Sequence, residues 1–240
     1  MFNLIRKKNL YILLYLTFLI YIGYLCFIRI HTKYHYYEAY WIWAGITAKE
    51  APKNSKLYIY QGSVTKGNYN HIGLFPYPID GRELYLTYRI DENLPNEHYI
   101  LDLFLKSSKK WEKHSSIIKG LQLDFDSPTF KLSVYNSFLK QIRNILPKKY
   151  KLSITGLGDW ILNGNTKILK AIDRNTDEII FQLYQGTKHL PNIDSYVWKL
   201  RYYQFPFRIG LLHLDYDQKI IDFLKINPNF RGVNYFIQKR

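Results

Sequence analysis

Cysteine is almost absent from the chain, which has one such residue in 240, Cys26. Because Cys26 lies in the apolar N-terminal stretch, the rest of the chain can form no disulfide, and cysteine usage says nothing about export. Paired histidines are nearly absent too: among the seven histidines, His31 and His35 alone have H-x-x-x-H spacing, beside the apolar N-terminal stretch, and no H-E-x-x-H occurs. We therefore expect no metal and no other cofactor.

Acidic residues are absent from Met1–Lys33, although this segment contains basic residues at both of its ends. The whole chain has a formal net charge of +15, an excess that can favour anionic partners. The lysines are scattered among Asn, Ile and Tyr rather than clustered, and no nucleic-acid motif is present. Nucleic acid is therefore not an expected partner.

Charge is absent from Asn9–Ile28, an apolar run long enough for a helix of about 30 Å, the thickness of the bilayer core. The sequence predicts a basic cytoplasmic N-terminus (1–8), a transmembrane signal anchor (9–28), a spacer (29–37) and a folded domain (38–240). The flanking charges favour a domain on the outer side of the cytoplasmic membrane. The membrane is thus one expected partner.

A cleaved signal peptide is the alternative to this anchor, because exported proteins also begin with a basic region and an apolar run. The run is long for a signal core, and no small-x-small site follows it before Tyr34. Bulky Tyr24 and Leu25 precede Cys26, which disfavours lipoprotein processing. An uncleaved anchor is the prediction.

Eight short apolar or alternating runs have the length and spacing of strands, in a domain with no internal repeat and no low-complexity linker. A hydrophobic content of 47% is ample for a core. The predicted strands are Tyr40–Ile46, Lys56–Gln61, Glu83–Arg89, Gly120–Phe125, Lys151–Leu157, Glu178–Tyr184, Phe205–Leu212 and Gly232–Ile237.

Helix-length segments separate several of these strands. The clearest is a stripe at three- and four-residue spacing, with Ser127-Pro128 before it as a capped start and Pro147 after it as the end. Alternating strands and helices favour a parallel sheet, and eight units match a (β/α)8 TIM-like barrel. Because the first two connections look short, a distorted barrel or an open doubly wound sheet is the alternative. The stripe residues are Phe130, Val134, Phe138, Ile142 and Ile145, and the other predicted helices are Tyr99–Ile118, Thr166–Ile172, Ile193–Tyr203 and Gln218–Leu224.

Polar side chains share one face of the strand Gly120–Asp126. Residues two apart on a strand point the same way, so Gln122, Asp124 and Asp126 face opposite to the leucines between them. Buried carboxylates are costly unless they are paired, and active sites of such barrels lie at the carboxyl ends of the strands. Further polar residues expected at the mouth are Thr87, Arg89, Ser153, Thr155, Gln182, Tyr184, Arg208 and Asn234.

A purely structural interpretation is also open for these residues. Asp124 would then pair with Arg89 or Arg208, and Asp126 would cap the following helix. Likewise, Trp41, Trp43 and Trp160 are either core residues or a sugar-stacking surface. For His213, a strand-end histidine bonded to the backbone is the alternative to a substrate contact.

The order and spacing of several segments resemble a bacterial family called domain of unknown function 3142. The segments are Trp41–Trp43, Gly120–Asp126, Leu152–Gly158 with Trp160, and Asp177–Gly186, in which Gln182 and Gln185 depart from the pattern. The resemblance covers about Trp41 to His213 and implies a relative of the TIM-barrel glycoside hydrolases.

The Asp124-x-Asp126 strand is also similar to the D-x-D-x-E signature of chitinase-like hydrolases. Pro128 stands where that signature has its terminal acid. The proton donor of that mechanism is therefore missing from its expected place, and the mechanism does not carry over intact.

Three functions are compatible with these residues. The first is a glycosidase-like protein acting on envelope or extracellular carbohydrate, with Asp124, Asp126 and Asp159 as catalytic carboxylates. In that role Gln182 and Tyr184 would bind sugar hydroxyls or an acetamido group, and the tryptophans would stack on sugar faces. The others are a non-catalytic glycan- or protein-binding barrel and a metal-dependent glycosyltransferase using the Asp124-x-Asp126 pair.

Overall fold

The computed structural model describes residues 15–23, 36–65 and 67–238. The chain divides into two units, residues 1–36 and 37–240, and each is described by itself. In the first unit, residues 15–23 are helical (α1) and their apolar side chains are exposed. Within the described ranges no helix is both long and apolar enough to cross a bilayer. Residues 9–14 and 24–28 of the predicted anchor lie outside those ranges, so the anchor stays a prediction.

The second unit is a closed barrel of eight parallel strands. The strand order is β1-β11-β10-β7-β6-β5-β4-β2, and the ring closes because β1 pairs with both β11 and β2. β3 pairs antiparallel with β2 outside the ring, and β8 and β9 form a short hairpin. The strands are β1 (Tyr37–Ile42), β2 (Lys56–Thr65), β3 (Asn68–His71), β4 (Glu83–Ile90), β5 (Ile117–Phe125), β6 (Lys151–Leu157), β7 (Glu178–Gln182), β8 (Tyr184–Gln185), β9 (Lys188–His189), β10 (Phe207–Leu212) and β11 (Phe230–Phe236).

Helices cover the later strands only, so the barrel is TIM-like but distorted. In the described part of the chain, a 3-10 turn (Ala48–Glu50) alone joins β1 to β2, and β3 occupies the next connection. All eight predicted strands are present, and the expectation of short early connections is confirmed. The helices are α2 (Glu97–Glu112), α3 (Leu132–Ile145), α4 (Gly158–Asn163), α5 (Thr166–Asn175), α6 (Ile193–Leu200) and α7 (Gln218–Leu224).

The predicted buried stripe of α3 is wrong in its first half. Phe130 and Val134 are 81% and 59% exposed, and the buried face is centred on Tyr135, which has no exposed surface. Residues four apart drift by about 40° around a helix with 3.6 residues per turn, so a long i, i+4 stripe leaves the buried face. The predicted start of this helix at Ser127-Pro128 is also wrong, because a 3-10 turn (Thr129–Lys131) follows Pro128 before α3 begins.

Leucines and isoleucines face outward from the barrel toward the helices, whereas aromatic and polar side chains fill its interior. Leu121 and Leu123 belong to the large outer core, as their spacing predicted. Inside the ring, Trp41, Tyr58 and Tyr85 form a separate cluster, and the Tyr58 and Tyr85 rings stack with centroids 4.6 Å apart. The interior is therefore a packed layer that forms the floor beneath the mouth.

A buried ion pair closes the amino end of the barrel. Arg208 Nη1 donates to Glu178 Oε2 at 3.2 Å, and the Tyr37, Tyr58 and Ser153 hydroxyls donate to the same carboxylate at 2.7, 2.5 and 2.7 Å. Burial raises the pKa of the Glu178 carboxyl, but Arg208 and the hydroxyl donors outweigh burial and hold it below its usual value. Arg208 thus lies at the end opposite the mouth, which corrects its expected substrate contact.

Candidate functional site

A pocket of about 410 Å³ opens at the carboxyl ends of the strands, where barrels of this kind bind ligands. Its volume lies within the range of small-molecule sites, about 300 to 1,000 Å³. Half of the lining was predicted from sequence: Trp43, Arg89, Asp124, Asp126, Asp159, Gln182 and Tyr184. The remaining lining residues are Leu157, Gly158, Gln185, Gly186, Leu190, Tyr196 and Phe236.

Arg89 holds three carboxylates together at this mouth. Its Nη1 donates to Asp124 Oδ2 at 3.1 Å, its Nη2 to Asp126 Oδ2 at 3.0 Å and its Nε to Asp91 Oδ1 at 3.0 Å. The Thr65 hydroxyl donates to the second oxygen of Asp91 at 2.7 Å. The Arg89 guanidinium is therefore fixed by carboxylates on two sides, and its single positive charge is shared among three carboxylates.

Asp124 is buried beneath the pocket opening, with 2% of its side chain exposed. Its other oxygen, Oδ1, accepts a hydrogen bond from the Thr155 hydroxyl at 2.8 Å. Burial raises the pKa of the Asp124 carboxyl, and the neighbouring Asp126 adds to this, while Arg89 and Thr155 oppose it. Of the two predicted arginine partners, Arg89 is the one that Asp124 uses.

Asp126 is accessible, since 46% of its side chain is exposed. The helix-cap interpretation of Asp126 is wrong: the 3-10 turn after Pro128 and helix α3 both begin without a side-chain cap, and Asp126 pairs with Arg89 instead. A carboxylate at the pocket wall with one oxygen unbound by Arg89 is able to contact a ligand.

Asp159 lines the pocket from the start of α4, next to β6. Hydrogen bonds from the Thr129 hydroxyl and from Asn163 Nδ2 lower the pKa of this exposed carboxyl. Asp159 is therefore ionised at neutral pH and fixed in orientation by two donors.

Aromatic rings form the apolar part of the pocket. The half-buried Trp43 indole stacks on Tyr60 with centroids 4.2 Å apart and planes 9° apart, which orients its ring. Tyr184 and Phe236 pack together at 5.3 Å on another side of the lining. Aromatic faces beside carboxylates are an arrangement suited to ligands with both apolar and hydroxyl-bearing faces, such as sugars.

The other two predicted tryptophans are core residues, which corrects their expected role as a sugar-stacking surface. Trp160 has no exposed surface, and its Nε1 donates to the Ser127 carbonyl at 2.8 Å, tying α4 to the turn after β5. Trp41 is 1% exposed and its Nε1 donates to Gln122 Oε1 at 2.7 Å. A sugar cannot reach either ring because both are covered by the barrel.

Four further predicted contacts lie outside the pocket lining. Gln122 is occupied by Trp41, Thr87 and Ser153 within the barrel. Thr155 supports Asp124 from beneath. Gln122 and Thr155 thus hold in place the packed interior of the barrel beneath the pocket. The His213 ring packs edge-on against Tyr40, and the Asn234 amide is buried with no hydrogen-bond partner in the described structure.

Asp91, the third carboxylate bound by Arg89, is one of the residues that sequence reasoning missed. It lies two positions after Arg89, just beyond the end of β4, and this spacing was a usable signal for a shared cluster. Glu178 was missed for a different reason, because it stands at the amino end of its strand, away from the expected mouth. Leu190 and Tyr196 come from loops and helices with no motif.

Among the described residues, no group of three or more His, Cys, Asp or Glu side chains is placed to hold a metal ion. The carboxylates of Asp124 and Asp126 are both bound by the Arg89 guanidinium, whose positive charge opposes a cation at the same oxygens. The donor set therefore does not fit the Asp-x-Asp metal site of a glycosyltransferase.

A closed parallel barrel with a carboxylate-lined pocket at its carboxyl mouth defines a TIM-like barrel protein. Residues 80–190 match the model of a family described as domain of unknown function DUF3142. The resemblance inferred from the sequence motifs is thereby confirmed over that range, which is narrower than the expected extent and contains Arg89, Asp124, Asp126 and Asp159.

The crystal structure of the spore cortex-lytic enzyme SleL of Bacillus cereus is similar with a TM-score of 0.43 and 15% sequence identity, covering 74% of this chain and 51% of that chain. This chain therefore spans about half the length of that protein. No curated protein matches the sequence.

The raised pKa of Asp124 predicts an opposite pH response in two Asp→Asn variants. The folded state holds the Asp124 proton more tightly than the unfolded chain, whose aspartates titrate near about pH 3.9, so ionisation above that pH costs stability. Asp124→Asn cannot ionise. Its free energy of unfolding relative to wild type should therefore rise between about pH 4 and pH 7 in urea titrations.

Asp177→Asn is the control for this titration. Burial raises the pKa of Asp177, but the Leu152 N-H, Lys151 and Arg143 outweigh burial and lower it. Its stabilising contribution is present above the unfolded pKa and lost as the pH falls, so this variant should lose stability relative to wild type as the pH rises. The same trend in both variants would contradict the assignment.

Proposed function

We propose that the chain is a glycoside-hydrolase-like protein that binds carbohydrate in the mouth pocket of its barrel. The observation that carries this proposal is the joint lining of the pocket by the Trp43 ring and the accessible carboxylate of Asp126. A sugar ring presents an apolar C-H face to the indole while its hydroxyls donate to the carboxylate. The volume of about 410 Å³ suits one sugar unit and part of the next.

Binding is favoured over catalysis by the state of the carboxylates. Both oxygens of Asp124 already accept a hydrogen bond, from Arg89 and Thr155, and only 2% of this side chain is exposed to a ligand. Asp126 shares the same guanidinium. Pro128 stands where the related signature carries its proton donor. These three facts support a pocket that holds a glycan.

Hydrolysis is the second candidate, and the pair Asp126 and Asp159 favours it. Both carboxyls are accessible, and both line the pocket from the segments that directly follow the neighbouring strands β5 and β6. The lowered pKa of Asp159 suits a base that activates water or stabilises an oxocarbenium ion. Asp126 would then supply the proton, with Arg89 holding it in place.

Trp43→Ala should weaken carbohydrate binding about tenfold, because the variant loses the stacked indole face. The measurement is titration calorimetry of the purified chain with monosaccharides and short β-linked oligosaccharides. Trp198→Ala is the matched control, since Trp198 is 59% exposed and lies outside the pocket lining. Equal loss in both variants, or none in either, would count against the pocket as the sugar site.

Asp126→Asn separates binding from hydrolysis. If the protein is a hydrolase, this variant should lose at least about 100-fold in turnover while its sugar affinity changes by only a few fold, because an amide still bonds hydroxyls but transfers no proton. Release of reducing ends from the glycans that bind provides the measurement. Asp222→Asn, an exposed position outside the pocket lining, is the control. A wild-type protein that binds but releases no reducing ends is a binding barrel.

Membrane attachment through residues 9–28, with the domain on the outer side, is part of the same proposal. It rests on the uncharged run of the sequence and its basic flanks. The full chain should stay with membranes through an alkaline carbonate wash, and a chain beginning at residue 36 should not. Recovery of the full chain in the wash would exclude an integral anchor.

A further inference from the structure

Phe130 is an exposed aromatic residue in the segment that follows the carboxyl end of β5. With 81% of its surface exposed, it is the most exposed large hydrophobic residue of the described structure. It lies in the 3-10 turn (Thr129–Lys131) that follows Pro128, where its direction is set by the turn and not by the buried face of α3. A ring this exposed adds little to the core and leaves its surface open to a ligand.

Hydrogen bonding ties this ring to the pocket wall. Thr129, the residue directly before it, donates its hydroxyl to Asp159, which lines the pocket. Asp126, also in the lining, lies four residues earlier on the same segment. The turn that carries Phe130 also packs against α4, which begins at Gly158 of the lining. The turn that carries Phe130 therefore stands beside the pocket on its α3 and α4 side, although Phe130 itself is not one of the lining residues.

The chemistry around Phe130 fits a sugar more closely than an apolar protein surface. Lys131 places its ammonium nitrogen 5.9 Å from the centre of the ring, and Ser133 is exposed two positions after Lys131. A sugar stacks its C-H face on a ring and accepts hydrogen bonds from a nearby ammonium through its hydroxyls. The exposed apolar side chains of this segment, Phe130 and Val134, supply far less than the roughly 800 Å² that each partner contributes to a standard protein interface.

We propose that Phe130 forms a rim subsite on which the second unit of a linear oligosaccharide stacks while the first unit occupies the pocket. The inference rests on the proposed carbohydrate function and adds the path that the sugar chain follows. A glycan longer than the pocket extends out of it past Asp159 and lies across the turn between β5 and α3. The ligand class is therefore a chain of at least two sugar units and not a free monosaccharide.

The test compares ligand length in the full chain. The probes are β-1,4-linked glucose and N-acetylglucosamine series of one to six units, measured by titration calorimetry. In wild type, affinity should rise at least fivefold from one unit to two or three in one of the series. Phe130→Ala should remove that gain and leave monosaccharide affinity unchanged, whereas Phe130→Trp should keep it.

Phe75→Ala is the matched control, because Phe75 is also a phenylalanine, 75% exposed, and outside the pocket lining. It should leave the length dependence intact. A length dependence that survives Phe130→Ala, or that is absent in wild type, overturns the rim subsite even if monosaccharides bind and Trp43→Ala weakens them. Failure of both series at every length overturns the pocket proposal and the rim subsite together.

Discussion

Pairing of buried charges inside a closed barrel is the constraint on which this structure depends. Each strand of the ring has one face against the helices and one inside, and the interior holds charged side chains at both ends. A buried charge without a partner costs several kcal/mol, so each has to meet an opposite charge contributed by another strand. Glu178 and Arg208 form such an ion pair at the amino end of the barrel, and Asp124 and Arg89 form one at the mouth.

The same requirement shapes the site. Arg89 neutralises Asp124 beneath the mouth and binds Asp126 and Asp91 with its remaining nitrogens, so a structural ion pair also orders the pocket wall. Accessibility then separates the acids: Asp124 is buried, Asp126 is half exposed and Asp159 is exposed. The buried acid, Asp124, is the least able to react, and the two accessible ones are those able to meet a ligand.

Pro128 replaces the terminal acid of the related D-x-D-x-E signature and also precedes the 3-10 turn that carries Phe130. A pocket without that donor fits the glycan binding that we propose better than cleavage by that route. The membrane-anchored arrangement that we propose would present this mouth to carbohydrate outside the cell membrane.

Sequence alone determined the eight strands and the inward facing of Gln122, Asp124 and Asp126, because the two-residue alternation of a strand is a local property. It also placed Trp43, Arg89 and Asp159 at one mouth, since parallel strands end together.

Only the tertiary structure decided which partner each group meets. Asp124 pairs with Arg89 and not Arg208, because β4 lies beside β5 while Arg208 sits at the opposite end of the barrel. Trp41 and Trp160 are buried by elements distant in sequence, and the phase of α3 is set by the sheet it covers. Strand order, ring closure and helix phase arise from long-range contacts, which residue spacing does not encode.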